Sequence, residues 1–95
     1  MGVFVDDMKL RAKVGNLDTV WSHLGADSLE EMHEFAQRLG LKRSWFQISS
    51  SGIPHYDITQ SMRAKAVKMG AEEVTTTEGF RRLKPLRIDR NKNDL

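Results

Sequence analysis

The residues of this chain whose types could do chemistry are three histidines and a few carboxylates, and they sit close together in sequence. The segments are Trp21-Ser22-His23, Glu30-Glu31-Met32-His33 and His55-Tyr56-Asp57, with Asp6-Asp7 following the apolar run Val3-Phe4-Val5. Imidazole and carboxylate together are what metal coordination and proton transfer require. His55 and Asp57 are two apart, so an extended backbone points both the same way, toward a shared metal or as a carboxylate-oriented base. The competing account makes Asp57 a helix cap and gives His55 a loop hydrogen bond. Asp6-Asp7 stands where many phosphoryl-transfer folds hold a magnesium-binding carboxylate; otherwise it is a turn whose aspartates bond locally. Alternation along a strand favours one of that pair over both.

His23 follows Trp21 and can face the core with it, while His33 borders the apolar face of a helix. The set His23, His33, His55 and Asp57 fits no established zinc spacing. Arg63, about a turn into a helix, is placed to hold a phosphate bidentately or to pair with a nearby acid on the surface. Ser49-Ser50-Ser51-Gly52 lacks the lysine and glycine spacing of a Walker loop and reads as a lid or linker.

Composition narrows the class. Ninety-five residues suit one domain with a modest core. There is no cysteine, which excludes disulfides, thiolate zinc sites and cysteine nucleophiles. No apolar run approaches the roughly 20 residues of a membrane span and no signal peptide is visible, so a cytoplasmic chain without a membrane partner is expected. Net charge is +2, yet Arg81, Arg82, Lys84, Arg87, Arg90 and Lys92 face only Asp89 and Asp94 in the last sixteen positions. A basic end on a mildly acidic body suggests an arm for nucleic acid or an acidic partner, or a terminus kept solvated by charge.

The positioning elements follow from pattern. Val3–Val5 reads as a strand ending at two carboxylates, and residues 8–14 alternate apolar and basic as a half-exposed strand. Gly15-Asn16 is a two-residue turn leading into a strand over 17–24, and two reversals would leave that strand parallel to Val3–Val5. Ser28 with Glu31 forms a capping box opening a helix whose apolar face is Leu29, Met32, Phe35, Ala36 and Leu39, and Gly40 ends it. A strand over 44–48, a loop over 49–54, a second helix capped by Thr59 and ended by Gly70, a short strand over 71–74 and a third helix stopped by Pro85 complete the chain. Helix, glycine and strand succeed one another twice, at 28–48 and 59–74, as in units that build parallel sheets. The expected fold is α/β, a small mixed sheet of four or five strands with two or three packed helices. Residues 1–79 would form the domain and 80–95 a basic helix end and tail. Ligands collect at the carboxyl ends of parallel strands, and this topology brings Asp6, Asp7, His23, His55 and Asp57 to one edge, with His33 within reach.

The chain also resembles a small uncharacterised family, a domain of unknown function found as short proteins in phage and actinobacterial genomes. The resemblance covers residues 3–74 and rests on Val5-Asp6-Asp7, Trp21-Ser22-His23-Leu24, Ala26-Asp27, Glu31-Met32-His33, Phe35-Ala36, Leu39-Gly40-Leu41, Trp45-Phe46-Gln47, Pro54-His55-Tyr56-Asp57, Arg63 and Gly70-Ala71. It implies no reaction, but it does imply that the histidine and aspartate segments belong to a shared pattern. A phage-encoded chain would work in the host cytoplasm.

Two functions fit these residues. One is a divalent-metal-dependent hydrolase or nuclease acting on a phosphate ester. Asp6, Asp7, His33 and Asp57 would hold Mg, Mn or Zn, and the catalytic set would be His55, Asp57, His23 and Arg63, with His55 or His23 moving the proton and Arg63 neutralising phosphate. So short a chain leaves little wall to enclose substrate, which suggests a homo-oligomer. The other is a non-catalytic accessory module for nucleic acid, nucleotide or a host protein, binding through Arg81, Arg82, Lys84 and Arg87.

Overall fold

The computed structural model describes residues 2–89, so Arg90, Lys92 and Asp94 of the basic end lie outside the described residues. The fold is α/β, with six strands in one mixed sheet and three helices: β1 Val3–Val5, β2 Leu10–Val14, β3 Leu17–Ala26, α1 Leu29–Leu39, β4 Phe46–Ile48, β5 Pro54–Thr59, α2 Gln60–Lys68, β6 Glu72–Glu73 and α3 Thr76–Leu83. The strand order is β4-β5-β3-β1-β6, and β2 pairs along the remaining length of β3. Among the described residues no helix is long and apolar enough to cross a membrane.

One expected direction is corrected. β3 runs antiparallel to β1, not parallel, because only one reversal precedes it. The hairpin at Gly15-Asn16 turns the chain, but Asp6 to Lys9 merely interrupts it, so β1 and β2 lie end to end beside the ten-residue β3. Residues 54–59, expected as loop and helix approach, form β5 at the centre of the site. Their burial alternates strictly: Pro54, Tyr56 and Ile58 are buried, and His55, Asp57 and Thr59 are half-buried. That period of two was present in the sequence but was obscured by the leading proline.

Both helix-containing units do connect strands of like direction, β3 to β4 and β5 to β6. β5 is inserted antiparallel between β3 and β4, so the only parallel pair in the sheet path is β1 with β6. The caps follow chemistry already visible in the sequence. Ser28 Oγ accepts from the Glu31 amide at 3.2 Å, Thr59 Oγ1 from the Met62 amide at 3.3 Å, and Gly40 ends α1 with φ of 103°. The Glu31 carboxylate does not close the capping box; it accepts instead from the Gly2 amide.

The sheet is covered unequally. Leu24, Ala26, Tyr56 and Ile58 share one face with Ser22, whose hydroxyl accepts from Gln60 of α2, and this face packs under α1 and α2 with Met32, Phe35, Leu39 and Ala66. On the opposite face α3 lies over Phe4 and Gly25. A Cβ at Gly25 would come within 2.8 Å of the Phe4 ring, so the helix and the strand pair close up only over glycine. α3 covers the end of this face nearest β1, and His23, His55 and Asp57 lie beside it.

Candidate metal centre

The site is built by register. His23 on β3 and Asp57 on β5 are direct cross-strand partners, and Gln47 on β4 is the partner of His55. Directly paired residues share a face and so do residues two apart, which places His23, Asp57, His55 and Gln47 together. The side chains therefore converge on the face of an antiparallel sheet, not at the carboxyl rim of parallel strands. Convergence was expected; its cause is corrected.

Each imidazole is pinned from behind. His23 Nδ1 meets Asp6 Oδ2 at 2.7 Å, and His55 Nδ1 meets the Ile53 carbonyl at 3.0 Å. A carbonyl can only accept, so Nδ1 of His55 carries the proton, and the Asp6 carboxylate holds His23 in the same tautomer. Both Nε2 atoms then turn toward one oxygen: Asp57 Oδ1 lies 3.7 Å from His23 and 3.4 Å from His55. These separations are longer than ordinary hydrogen bonds. These two edges are close to the ligand-to-ligand spacing of a tetrahedral site, about 3.4 Å for bonds near 2.1 Å. The far oxygen of Asp57 is held by Gln47 Nε2 at 2.9 Å. Ligand atoms of His23, His55 and Asp57 lie within 4.8 Å of one another. Their side chains are 30%, 12% and 20% exposed, which shields the cluster yet leaves a way in.

Asp6 has an unusual place in the backbone. Its amide donates to the His23 carbonyl at 3.1 Å, continuing the β1–β3 ladder. The return bond is made by its side chain: the His23 amide donates to Asp6 Oδ1 at 2.9 Å. The Asp6 carbonyl is thereby free to accept from Arg63 Nε at 2.8 Å. One buried carboxylate thus fixes both the backbone and the ring of His23, and Arg63 braces the interruption from the helix side.

Charge in the cluster favours the ionised forms of His23 and Asp57, so a metal ion would have to displace a proton from His23. The hydrogen bond that His23 donates to Asp6 raises the pKa of His23 above its ordinary value against the opposing effect of burial, with the Asp6 and Asp57 charges adding to the rise. For Asp57, burial pushes the pKa up, but His55, His23 and Gln47 together outweigh it and hold the carboxyl below the ordinary value.

The other expected residues are placed elsewhere. Asp7 Oδ1 accepts from the Thr76 amide at 2.7 Å and the Thr76 hydroxyl at 2.9 Å, tying down the start of α3; the hydroxyl and then the amide lower its pKa. The two adjacent aspartates have separate tasks. His33 lies on the opposite side of the sheet, where Nδ1 shares a 2.8 Å hydrogen bond with the Tyr56 hydroxyl and the ring meets Phe46 at 4.6 Å. Arg63 reaches Glu73 at 3.1 Å as well as Asp6 and does not turn toward the cluster. Arg82 forms a two-pronged pair with Asp27, bonds Glu72 at 3.0 Å and stacks over Phe4, while Arg81 pairs with Glu78. Lys84 and Arg87 are exposed in and just after a final 3-10 turn. Gln47 and the Ile53 carbonyl were not foreseen as site groups; the pairing of β4 with β5, not any local motif, brings them in.

With this geometry in view, comparison with known proteins is informative only at the level of family. The family model described as "Protein of unknown function (DUF4031)" matches residues 3–86. The chain belongs to this family. No curated protein and no solved structure matches it. The family description carries no activity, so the chemistry has to be argued from the residues.

Proposed function

We propose that the chain is a divalent-metal-dependent hydrolase whose ion is held by His23, His55 and Asp57. One observation carries the reading: every donor is backed by a second group, while Nε2 of His23, Nε2 of His55 and Oδ1 of Asp57 face one another. Such outer partners fix the tautomer and orientation of metal-binding side chains. Three protein donors leave positions for water and substrate, as catalytic sites do and closed structural sites do not. Two imidazoles and one carboxylate suit zinc or manganese better than magnesium, which takes oxygen donors. An ion in this setting acidifies a bound water and polarises the oxygen of a scissile bond.

The chain's own residues supply the positioning. Asp6 aims Nε2 of His23 at the cluster, the Ile53 carbonyl does the same for His55, and Gln47 stops Asp57 from rotating. Asp7, His33 and Arg63 have no part in this reading, since each is bonded away from the cluster. The test is calorimetric titration of the metal-free chain with zinc and manganese, followed by turnover of activated esters with the ion bound. One ion per chain is expected, with both binding and turnover lost in the His55→Ala, Asp57→Ala double variant. A chain that binds neither ion, or a double variant that turns over as the parent does, defeats the proposal.

A further inference from the structure

Two hollows reach the cluster. The first, about 230 Å³, lies between α3 and the sheet, where His23 and His55 meet Phe4, Ile53, Phe80 and Leu83. The second, about 580 Å³, touches the cluster only through Asp57 and Gln47 and runs from Leu17, Trp21 and Trp45 at the sheet edge to Leu41 and Met62 on the helix side. Its size is that of a small-molecule site. Trp45 and Phe80 are 49% and 47% exposed, large aromatic area left in water beside a reactive cluster.

No lysine or arginine lines either hollow among the described residues. Arg63 is committed to the Asp6 carbonyl and Glu73, and Arg82 to Asp27 and Glu72, while Lys42 stacks over Trp45 at the rim of the second hollow and the Arg87 side chain passes Gly52 outside the first. The carboxylates of Asp6 and Asp57 cancel the charge of one divalent ion, so the centre itself offers an anion no net positive charge, and the cations that remain stand at the rims and outside the lining. Sites that bind phosphoryl groups supply cations beyond a single neutralised metal, usually arginine or lysine in forked contact.

We infer that the substrate of this centre is an uncharged molecule carrying an aromatic or branched apolar group, not a phosphate ester. The inference rests on the hydrolase reading above. The apolar group occupies a hollow beside the ion, and the scissile bond lies over the bare donor atoms. Specificity comes from contact area and exclusion of water, with no ion pair to the substrate.

The test uses the full chain loaded with zinc. Rate enhancement over free zinc is compared for 1-naphthyl acetate and for bis(p-nitrophenyl) phosphate. The ester is expected to gain more by about tenfold or above. Of Phe80→Ala and Trp45→Ala, both at exposed positions, the one lining the occupied hollow should raise KM for the ester severalfold, and both should leave zinc affinity unchanged; no rise in either variant overturns the inference. Greater enhancement of the phosphate diester overturns the inference and leaves the hydrolase reading standing. If neither compound is turned over, the hydrolase reading falls, and binding decides the inference separately. Shifts of the Trp21 and Trp45 indole NMR signals by 2-naphthol but not by inorganic phosphate uphold it; equal or larger shifts by phosphate overturn it. Self-association abolished by Leu17→Lys, with no response to naphthol, also overturns it, because the groove is then a subunit interface.

Discussion

The two faces of the sheet each carry histidine chemistry, and they differ in what stands in front of the ring. On one face His23 and His55 each have Nδ1 bonded from behind and Nε2 bare, with Asp57 between them. On the other, His33 shares a hydrogen bond with the buried Tyr56 hydroxyl and packs edge-on against Phe46. β5 contributes to both, because Tyr56 points one way and His55 and Asp57 the other. Histidine therefore becomes a ligand candidate through its convergence with other donors; an acidic or aromatic neighbour in sequence does not suffice.

The largest effect should come from removing a ligand on one face and its counterpart on the other. His23→Ala or Asp57→Ala is expected to weaken zinc binding by more than about 100-fold, beyond what loss of an outer partner costs, while His33→Ala leaves it unchanged in calorimetry. A fall in affinity for His33→Ala would erase the distinction between the faces.

Asp6→Asn sharpens the contrast from behind the ligand. The amide oxygen can still accept from the His23 backbone, but an NH₂ group facing Nδ1 drives the ring proton to Nε2. Zinc affinity should drop about 10- to 100-fold. Unchanged affinity, with the fold retained by circular dichroism, would show that Asp6 serves the backbone alone.

Tyr56→Phe probes the other face. It removes the hydrogen bond to His33 and should cost about 0.5–1.5 kcal/mol in urea denaturation while zinc binding stays intact. A change in zinc affinity would couple the two faces through β5.

The smallest effect is in pH dependence. Burial, with the Arg43 charge adding to it, lowers the pKa of His33 below its ordinary value of 6.5. Tyr56 is the other titratable group facing this ring, and burial raises its pKa, so it stays neutral in this range. The stability contributed by keeping His33 neutral is present above the unfolded-state value and is lost as pH falls through the folded one. Denaturation of His33→Gln at pH 5 and pH 7.5 should therefore show a smaller difference in stability than the parent. An equal or larger difference would place the titration elsewhere.

Much of the frame was legible. Ser28, Gly40 and Thr59 marked helix limits because caps are local chemistry, set by one side chain and the amide two or three residues on. The alternation at 8–14 and the Gly15-Asn16 turn marked the hairpin. The direction of β3 was misjudged because Asp6 and Asp7 resemble a reversing turn, whereas the chain passes straight through, held by Arg63 from fifty-seven residues away. No local signal carries a contact of that separation. β5 was missed at a leading proline, and with it the role of Gln47.

By itself the sequence determined which residues could bind a cation, that no thiol takes part, and where helices begin and end, since these depend on side-chain chemistry and short-range hydrogen bonds. Only the tertiary structure decided which histidines share a face. Register between β3 and β5 sets that, and a shift of one residue there would put His23 and Asp57 on opposite sides, while the same slip between β4 and β5 would turn Gln47 away.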